Sequence, residues 1–450
     1  MAAYVSLTNT SLEQQAVQPS CQQPLAARQP AKRVRLANQR PKATATVDRP
    51  KQETAAEQSF AKRMNSNYEA VDSSQSGWRL EHWSSADGPV EEASTPPSSY
   101  YMDPQAFQLE TRKVFARNWL AVGHTRQVAG IGDFFTGRLG DVPYLVTRGT
   151  DGELHAFHNV CRHHAAAVAH GCGTTQQLQC PYHGWQYDLQ GKFRGATRTK
   201  GIKNFRAADQ ALMPIQLDTW GPFIFLNFDP KYQGPGVEEW LATGGQAMHT
   251  YGMDNPDFMY AASADYDIDC NWKVYNDNYL DGGYHVPFAH PAFTEALDID
   301  NYHSKLHEVV SFQVSPLAQQ EPNSEDPIVR SITENRRAGG GEGPKFAFVY
   351  PNFMINKYEL WMDTFTTIPL AVDKCRVHFD YYVHRSKADD KEFVQQMIEG
   401  ENIVQQEDVG LCQEVQKGLQ SPAYDVGRYV PSTEFPMFHF HQQVHRDLMR

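Results

Sequence analysis

The stretch Cys161–Trp185, CRHHAAAVAHGCGTTQQLQCPYHGW, decides how this chain is read. It holds a Cys-x-His pair and a Cys-x-x-His pair, with sixteen residues between His163 and Cys180. Two thiolates and two neutral imidazoles suit either a tetrahedral zinc ion or a two-iron, two-sulfur centre in which histidines replace the cysteines on one iron. Zinc fingers typically supply both cysteines before both histidines, around a helix. Here each loop supplies one of each, between runs that alternate like strands. That order suits two irons, one held by the thiolates and the other by the imidazoles. Histidine ligands carry less negative charge than thiolates, so such a centre accepts electrons from a ferredoxin-type donor. Structural zinc is the competing reading. His164, His170 and Cys172 stand nearby but off the motif.

Working outward, the residues from Phe134 to Phe228 form short alternating runs, such as DVPYLVTRG and GPFIFLNFD, with Gly-containing turns. These predict a small β domain whose loops carry the Cys/His pairs, with Gly171, Gly173 and Gly184 allowing a tight backbone approach. Before it, Asp103 and Pro104 predict the start of a helix. Ser84–Pro104 is dense in Ser, Pro and Gly and predicts an extended or disordered linker. The first sixty or so residues hold a single acidic residue up to Val47, Glu13, and no secretory hydrophobic region. That composition predicts an organellar leader, chloroplast or mitochondrial.

With 450 residues the chain is long enough for two or three domains, and its net charge of −12 argues against nucleic acid and anionic membranes as partners. Seven cysteines at irregular spacing do not read as a disulfide framework. The most apolar run, Trp220–Phe228, is strand-sized, so no membrane span is expected.

A second metal is suggested by NWKVYNDNYLDGGYHVPFAH, Asn271–His290, in which His285 and His290 lie five apart among aromatic residues. Two histidines and one carboxylate make a facial triad that leaves open positions on Fe(II). On the long helix predicted near the C-terminal end, Asp408 shares a stripe with Leu411, Cys412, Val415 and Leu419, while Glu407 is expected to point away. A carboxylate on an apolar stripe is costly unless it is paired or binds a cation, which makes Asp408 the candidate third ligand. A further histidine group, His439, His441 and His445 in HFHQQVH, is read as alternation on a strand, suited to packing or a subunit contact.

Taken together, the Cys/His loops, then NWK…DNYLDGGYHVPFAH, then QEDVGLCQEVQKGL resemble the α subunits of Rieske non-haem iron oxygenases. The likeness runs from about Thr95 onward and includes STPPSS, HAFHNVC, YPNFMIN and GRY, as in the plant choline-oxidising members. The resemblance implies an α+β fold: a small all-β Rieske domain with an N-terminal helix (99–230) and a helix-grip, START-like catalytic domain with an antiparallel sheet and a long C-terminal helix (231–450). Residues 1–60 become a chloroplast transit peptide and 61–98 a flexible linker. It implies a [2Fe–2S] cluster on Cys161, His163, Cys180 and His183, and a mononuclear Fe(II) on His285, His290 and Asp408. It further implies a homotrimer in the chloroplast stroma that takes electrons from reduced ferredoxin. The reaction implied is oxidation of choline by O₂ to the hydrate of betaine aldehyde, the first step of glycine betaine synthesis.

Two positions depart from the family pattern. His164 stands where an Arg often follows the first cluster histidine. Gly282 stands where many relatives carry a bridging carboxylate, so Asp281 is expected to bridge, with Asn278 beside it in the catalytic set and Asp277 as the more distant option. A trimethylammonium head favours aromatic faces, and Tyr284, Tyr350, Phe353, Tyr358 and Trp361 are the candidate cage. The alternatives are another quaternary ammonium substrate, such as glycine betaine or carnitine, and a Rieske electron-transfer protein, which needs only one metal centre.

Overall fold

The computed structural model describes residues 80–319, 324–338 and 343–450. The expected leader and residues 61–79 of the expected linker lie outside the described residues. The remainder of that linker is packed rather than extended or disordered. Trp83, Ala86 and Ala93 are buried, and the Trp83 indole N–H donates to the Ser94 carbonyl at 2.9 Å. The segment also pairs with the far end of the chain: Thr95 N–H donates to Gly427 O at 3.1 Å and Ser98 N–H to Asp425 O at 3.0 Å. Its apolar residues bury surface there, which outweighs the loop-forming composition.

Asp103 accepts from the Gln105 N–H at 2.7 Å and so caps helix α1 (Pro104–Glu110), which runs on as a π turn over Thr111–Phe115. Next come β1 (Leu120–His124), β2 (Asp133–Leu139), β3 (Val142–Arg148), β4 (Leu154–His158), β5 (Cys172–Thr174), β6 (Leu178–Gln179), β7 (Gln186–Tyr187), β8 (Phe193–Gly195), β9 (Gln216–Trp220) and β10 (Phe223–Asn227). They form three small antiparallel sheets, ordered β4-β3-β2-β5, β6-β7-β8 and β1-β10-β9.

After α2 (Val237–Thr250) the chain lays down β11 (Phe258–Ile268), α3 (Trp272–Tyr279), α4 (Val286–Ala289), α5 (Pro291–Ala296), β12 (His303–Leu306), β13 (Val310–Val314), α6 (Pro327–Arg337), β14 (Lys345–Val349), β15 (Phe353–Lys357), β16 (Trp361–Ala371) and β17 (Lys374–His384). Helices α7 (Lys391–Leu419) and α8 (Phe435–Met449) complete it. The seven strands make one antiparallel sheet ordered β11-β17-β16-β15-β14-β13-β12.

Strand parity divides this sheet into two working faces. Phe346, Met354, Trp361, Phe365, Phe379 and Tyr381 share a core with Trp272 and Tyr275 of α3 and with Met397 and Cys412 of α7. The alternate residues Ala347, Phe353, Ile355, Met362 and Tyr382 pack instead with Phe223 and Phe225 of β10 and with Leu241 of α2. The helices that carry the candidate iron ligands thus grip one face, and the strands of the Cys/His region cover the other. No described helix is long and apolar enough to cross a membrane.

The histidine-rich HFHQQVH segment lies in helix α8, not on a strand. Phe440, His441, Val444 and Leu448 are buried at helical spacing, and Pro436 occupies the first turn, where its missing N–H costs nothing.

Candidate metal centres

The two Cys/His loops are conformational copies. Cys161 N–H donates to Ala166 O at 2.8 Å, and Ala165 N–H returns to Cys161 O at 3.0 Å. In the second loop Cys180 N–H donates to Trp185 O at 2.8 Å and Gly184 N–H returns to Cys180 O at 3.0 Å. Both returning residues are left-handed, Ala165 at φ 62° and Gly184 at φ 69°. Gly171 and Gly173, expected to serve these loops, lie instead at β5.

Folding sorts the four donors by chemistry. Cys161 and Cys180 are buried in a small core with Leu145, Phe157, Trp185 and Tyr187. His163 and His183 are exposed, with their Nδ1 atoms 3.1 Å apart, and the His163 ring stacks on Trp185 at 4.7 Å. Partial desolvation, then His164 and His183, lower the His163 pKa and favour the neutral imidazole that a metal needs. A single tetrahedral ion would draw all four donors together. Among the described residues, the set of three or more donors within 4.8 Å of one another is His285, His290 and Asp408, and the Cys/His loops form no such set. Thiols paired inside and imidazoles paired outside therefore fit a two-iron cluster and do not fit structural zinc.

The second centre is built where α3, α4 and α7 meet. Asn271 caps α3 by accepting the Lys273 N–H at 3.0 Å. Glu110 of α1 anchors the same turn through Lys273 Nζ at 2.6 Å and the Trp272 indole N–H at 2.7 Å. That fixes the direction in which the following residues leave. His285 Nε2 and His290 Nε2 stand 3.2 Å apart, and Asp408 Oδ1 lies 3.2 Å from His290 Nε2 and 3.6 Å from His285 Nε2. A triangle of this size would let one ion reach all three donors, and a two-His, one-carboxylate set would leave its remaining coordination positions open.

Each candidate ligand is held by a second group. Asp281 Oδ2 lies 2.7 Å from His285 Nδ1, Glu407 Oε2 lies 2.7 Å from His290 Nδ1, and Asn278 Nδ2 donates to Asp408 Oδ1 at 2.7 Å. Both imidazoles therefore present Nε2 toward the triangle. Burial lowers His290, but Asp408 and Glu407 outweigh it and hold its pKa up at about 9. The pocket has the negative field a cation needs.

Glu407 is the site residue that the sequence reading misplaced. The buried stripe of α7 is Glu401, Gln405, Asp408, Cys412, Gln416 and Leu419, whereas Leu411 and Val415 are 41% and 52% exposed. The helix is rotated from the expected phase because polar residues, not the apolar Leu411 and Val415, line its inner face. Glu407 consequently reaches His290 instead of pointing away. Asp277, the alternative to Asp281, is occupied by His441 of α8 and by Tyr101, just before α1: His441 Nε2 lies 2.8 Å from Oδ1 and the Tyr101 hydroxyl donates to Oδ2 at 2.7 Å. Gly282 cannot carry a carboxylate here. Its φ is +72°, and a Cβ would lie 2.1 Å from Thr433 O.

The candidate cage residues do not converge. Tyr358 and Trp361 stack face to face at 3.8 Å on the helix side of the sheet. Phe353 has the opposite parity and packs against Phe223 at 5.4 Å on the far face. Tyr350 donates to Asp447 at 2.8 Å and belongs to the α8 contact. Tyr284 is 50% exposed, near Phe288 at 81%.

Comparison with known proteins agrees with this architecture. Residues 118–206 match the Rieske [2Fe-2S] domain, and residues 257–449 match the ring hydroxylating alpha subunit catalytic domain. The chain is 45% identical to the chloroplastic choline monooxygenase of Arabidopsis thaliana, over 80% of this chain and 84% of that protein. It is 37% identical to the choline monooxygenase of Spinacia oleracea, over 78% of each. A solved structure of the quaternary ammonium Rieske monooxygenase CntA, with an inhibitor bound, superposes with a TM-score of 0.71 at 25% identity, covering 82% of this chain and 99% of CntA. An all-β cluster domain, a helix-gripped antiparallel sheet and this level of identity lead to one conclusion: the chain belongs to the Rieske non-haem iron oxygenases, alongside the plant choline monooxygenases.

Proposed function

We propose that the chain oxidises choline with O₂ and two electrons, giving the hydrate of betaine aldehyde and water. The balance is choline, O₂, two electrons and two protons in, and the aldehyde hydrate and one water out. The observation that carries this reading is the triangle of His285 Nε2, His290 Nε2 and Asp408 Oδ1, in a chain 45% identical to a choline monooxygenase.

Cys161, Cys180, His163 and His183 would hold the cluster, and His285, His290 and Asp408 the mononuclear iron. When bound, the two centres supply the electrons and the open coordination positions for activating O₂. The residues around them prepare that chemistry. Asp281 and Glu407 keep Nδ1 of both histidines engaged, and Asn278 restrains the shared oxygen of Asp408. Asp281 is also the proposed electron bridge, as the carboxylate in direct contact with a candidate iron ligand on the α3–α4 loop.

Reduced ferredoxin as donor, the chloroplast stroma as location and a trimer as assembly belong to the same reading. Chloroplastic relatives support the location. Exposed aromatics support assembly: Tyr182 beside His183 is 65% exposed, and Tyr284 and Phe288 beside His285 are 50% and 81% exposed. Such rings at both candidate centres suit a contact between copies that places one copy's cluster beside the next copy's iron.

An anaerobic single turnover tests the reading. Chemically reduced protein is given O₂ with choline, glycine betaine or carnitine, and the products are identified by mass spectrometry. Betaine aldehyde from choline is the expected result. A product from another amine alone would keep the oxygenase and remove choline.

A further inference from the structure

Beneath the stacked Tyr358 and Trp361, the helix side of the sheet carries a carboxylate without a partner among the described residues. Asp363 is fully buried, and neither oxygen has a hydrogen-bond partner. Other buried carboxylates, Glu401 apart, have close partners. Glu110 has Lys273 and Trp272, Asp133 has Thr174, Asp380 has Ser263 and Asp447 has Asn118. Asp363 sits between Asn356 of β15 and Tyr381 of β17 in strand register. The Trp361 indole N–H, two residues away on the same face, is also buried without a partner.

Above this row stands a second carboxylate. Glu401 of α7 is buried, and among the described residues its carboxylate has one hydrogen bond, a long one at 3.4 Å from the Tyr358 hydroxyl. It lies two helical turns before Asp408 on the same buried stripe, about 10 Å along the axis. Tyr279 closes the side toward α3, donating to Asn356 Oδ1 at 3.0 Å and packing edge-on to Phe365 at 5.4 Å. Burial and then the Glu401 charge push Asp363 well up, with partial relief from the Asn356 side chain. Two carboxylates in an apolar, aromatic enclosure are costly to ionise unless a cation lies between them.

We propose that Asp363 and Glu401 are the counter-charge for the substrate's quaternary ammonium, in a seat walled by Tyr279, Tyr358 and Trp361. The inference rests on the choline reading above and gives it a recognition site. A metal ion at this place would want three or more converging donors, and the pair brings no such set. A trimethylammonium group has no N–H to offer and binds through charge and ring faces alone, which matches carboxylates flanked by aromatics. Charge selects the head group here, and the donor triangle two turns along α7 receives the remainder of the molecule.

The test uses the iron-loaded protein and two probes: tetramethylammonium, and 3,3-dimethylbutan-1-ol, the uncharged carbon isostere of choline. Calorimetry should show wild-type protein binding tetramethylammonium at least about tenfold more tightly than the alcohol. Asp363→Asn and Glu401→Gln should each weaken tetramethylammonium about tenfold or more, leave the alcohol unchanged, and keep iron content and the cluster spectrum. Should either variant fail to fold, the wild-type preference for cation over isostere still decides. Equal binding of the two probes, or variants that bind the cation as wild type does, would overturn the proposal even if choline is oxidised. A cation lost in the variants from a protein that does not oxidise choline would sustain the seat and remove the choline reading.

Discussion

Asp281 holds His285 at two points: Oδ2 accepts the His285 backbone N–H at 2.8 Å and lies 2.7 Å from its Nδ1. Its other oxygen accepts from the Gly283 and Tyr284 N–H groups at 2.9 and 3.1 Å, so one carboxylate shapes the whole turn before the ligand. Asp281→Asn keeps the volume but weakens the acceptor. Iron retention at the mononuclear site should fall about 10–100-fold, the range found when such an orienting partner is removed. Iron content per chain against an unchanged cluster absorbance checks this.

Glu407 does the same for His290 from α7, at 2.7 Å. Glu407→Ala should lower iron affinity about tenfold or more. Glu407→Gln, which keeps an acceptor oxygen, should recover most of it. Competition with a chelator of known affinity separates the two variants. Equal losses in both would show that charge, not the hydrogen bond, is what His290 needs.

The twin Cys/His loops make a prediction of opposite sign at matched positions. Ala165 occupies the left-handed conformation that Gly184 occupies in the other loop. That conformation costs a residue with a Cβ about 1 kcal/mol or more. Ala165→Gly should therefore stabilise the loop by about 1 kcal/mol, and Gly184→Ala should destabilise its loop by a similar amount. The temperature at which the cluster's visible absorbance is lost should rise in the first variant and fall in the second.

Acid should unfold the chain partly through His124. Burial, and then the Arg126 charge, lower its pKa from 6.5 to about 4, and its Nδ1 accepts the Arg126 N–H at 3.0 Å, which requires that nitrogen unprotonated. Between these two values the unfolded chain takes up a proton that the folded chain refuses. Stability from this group is complete above about pH 6.5 and declines toward pH 4, by on the order of 3 kcal/mol. His124→Asn keeps a capping acceptor and removes the titration. Its stability should change less between pH 6.5 and 4 than the wild type's, as urea denaturation at several pH values would show.

How much of this was legible in the sequence depends on the kind of constraint. Cys161, His163, Cys180 and His183 lie close together in two short loops, and His285 and His290 in a third, so their juxtaposition follows from local spacing. Asp408 was found by asking which carboxylate sits on a buried helical stripe, although the phase of that stripe was one residue off. Leu411 and Val415 looked like core and are exposed, because Gln405 and Gln416 spend their hydrogen bonds inward, on Tyr275 and Asn271. Phe353 was misplaced through parity. In a strand whose residues are buried on both faces, alternation leaves no trace in composition, and only the neighbouring strands decide which side faces the helices. Asp363 was hidden for the same reason, since nothing in WMDTFTT distinguishes an unpaired buried acid from a paired one.

The clasp between Thr95–Tyr101 and Asp425–His441 has a consequence for how the protein is made. Ser98 bonds Asp425 across 327 positions, Gly427 bonds Thr95 across 332, and Tyr101 meets His441 across 340. Contacts of such separation close last, because so much chain must first be ordered between them. Nascent chain therefore cannot complete the support of α3, whose Asp277 binds both Tyr101 and His441, until α8 has been made. The contacts of β-sheet strands close in sequence can form as they emerge, and the support of α3 waits until His441 has been made.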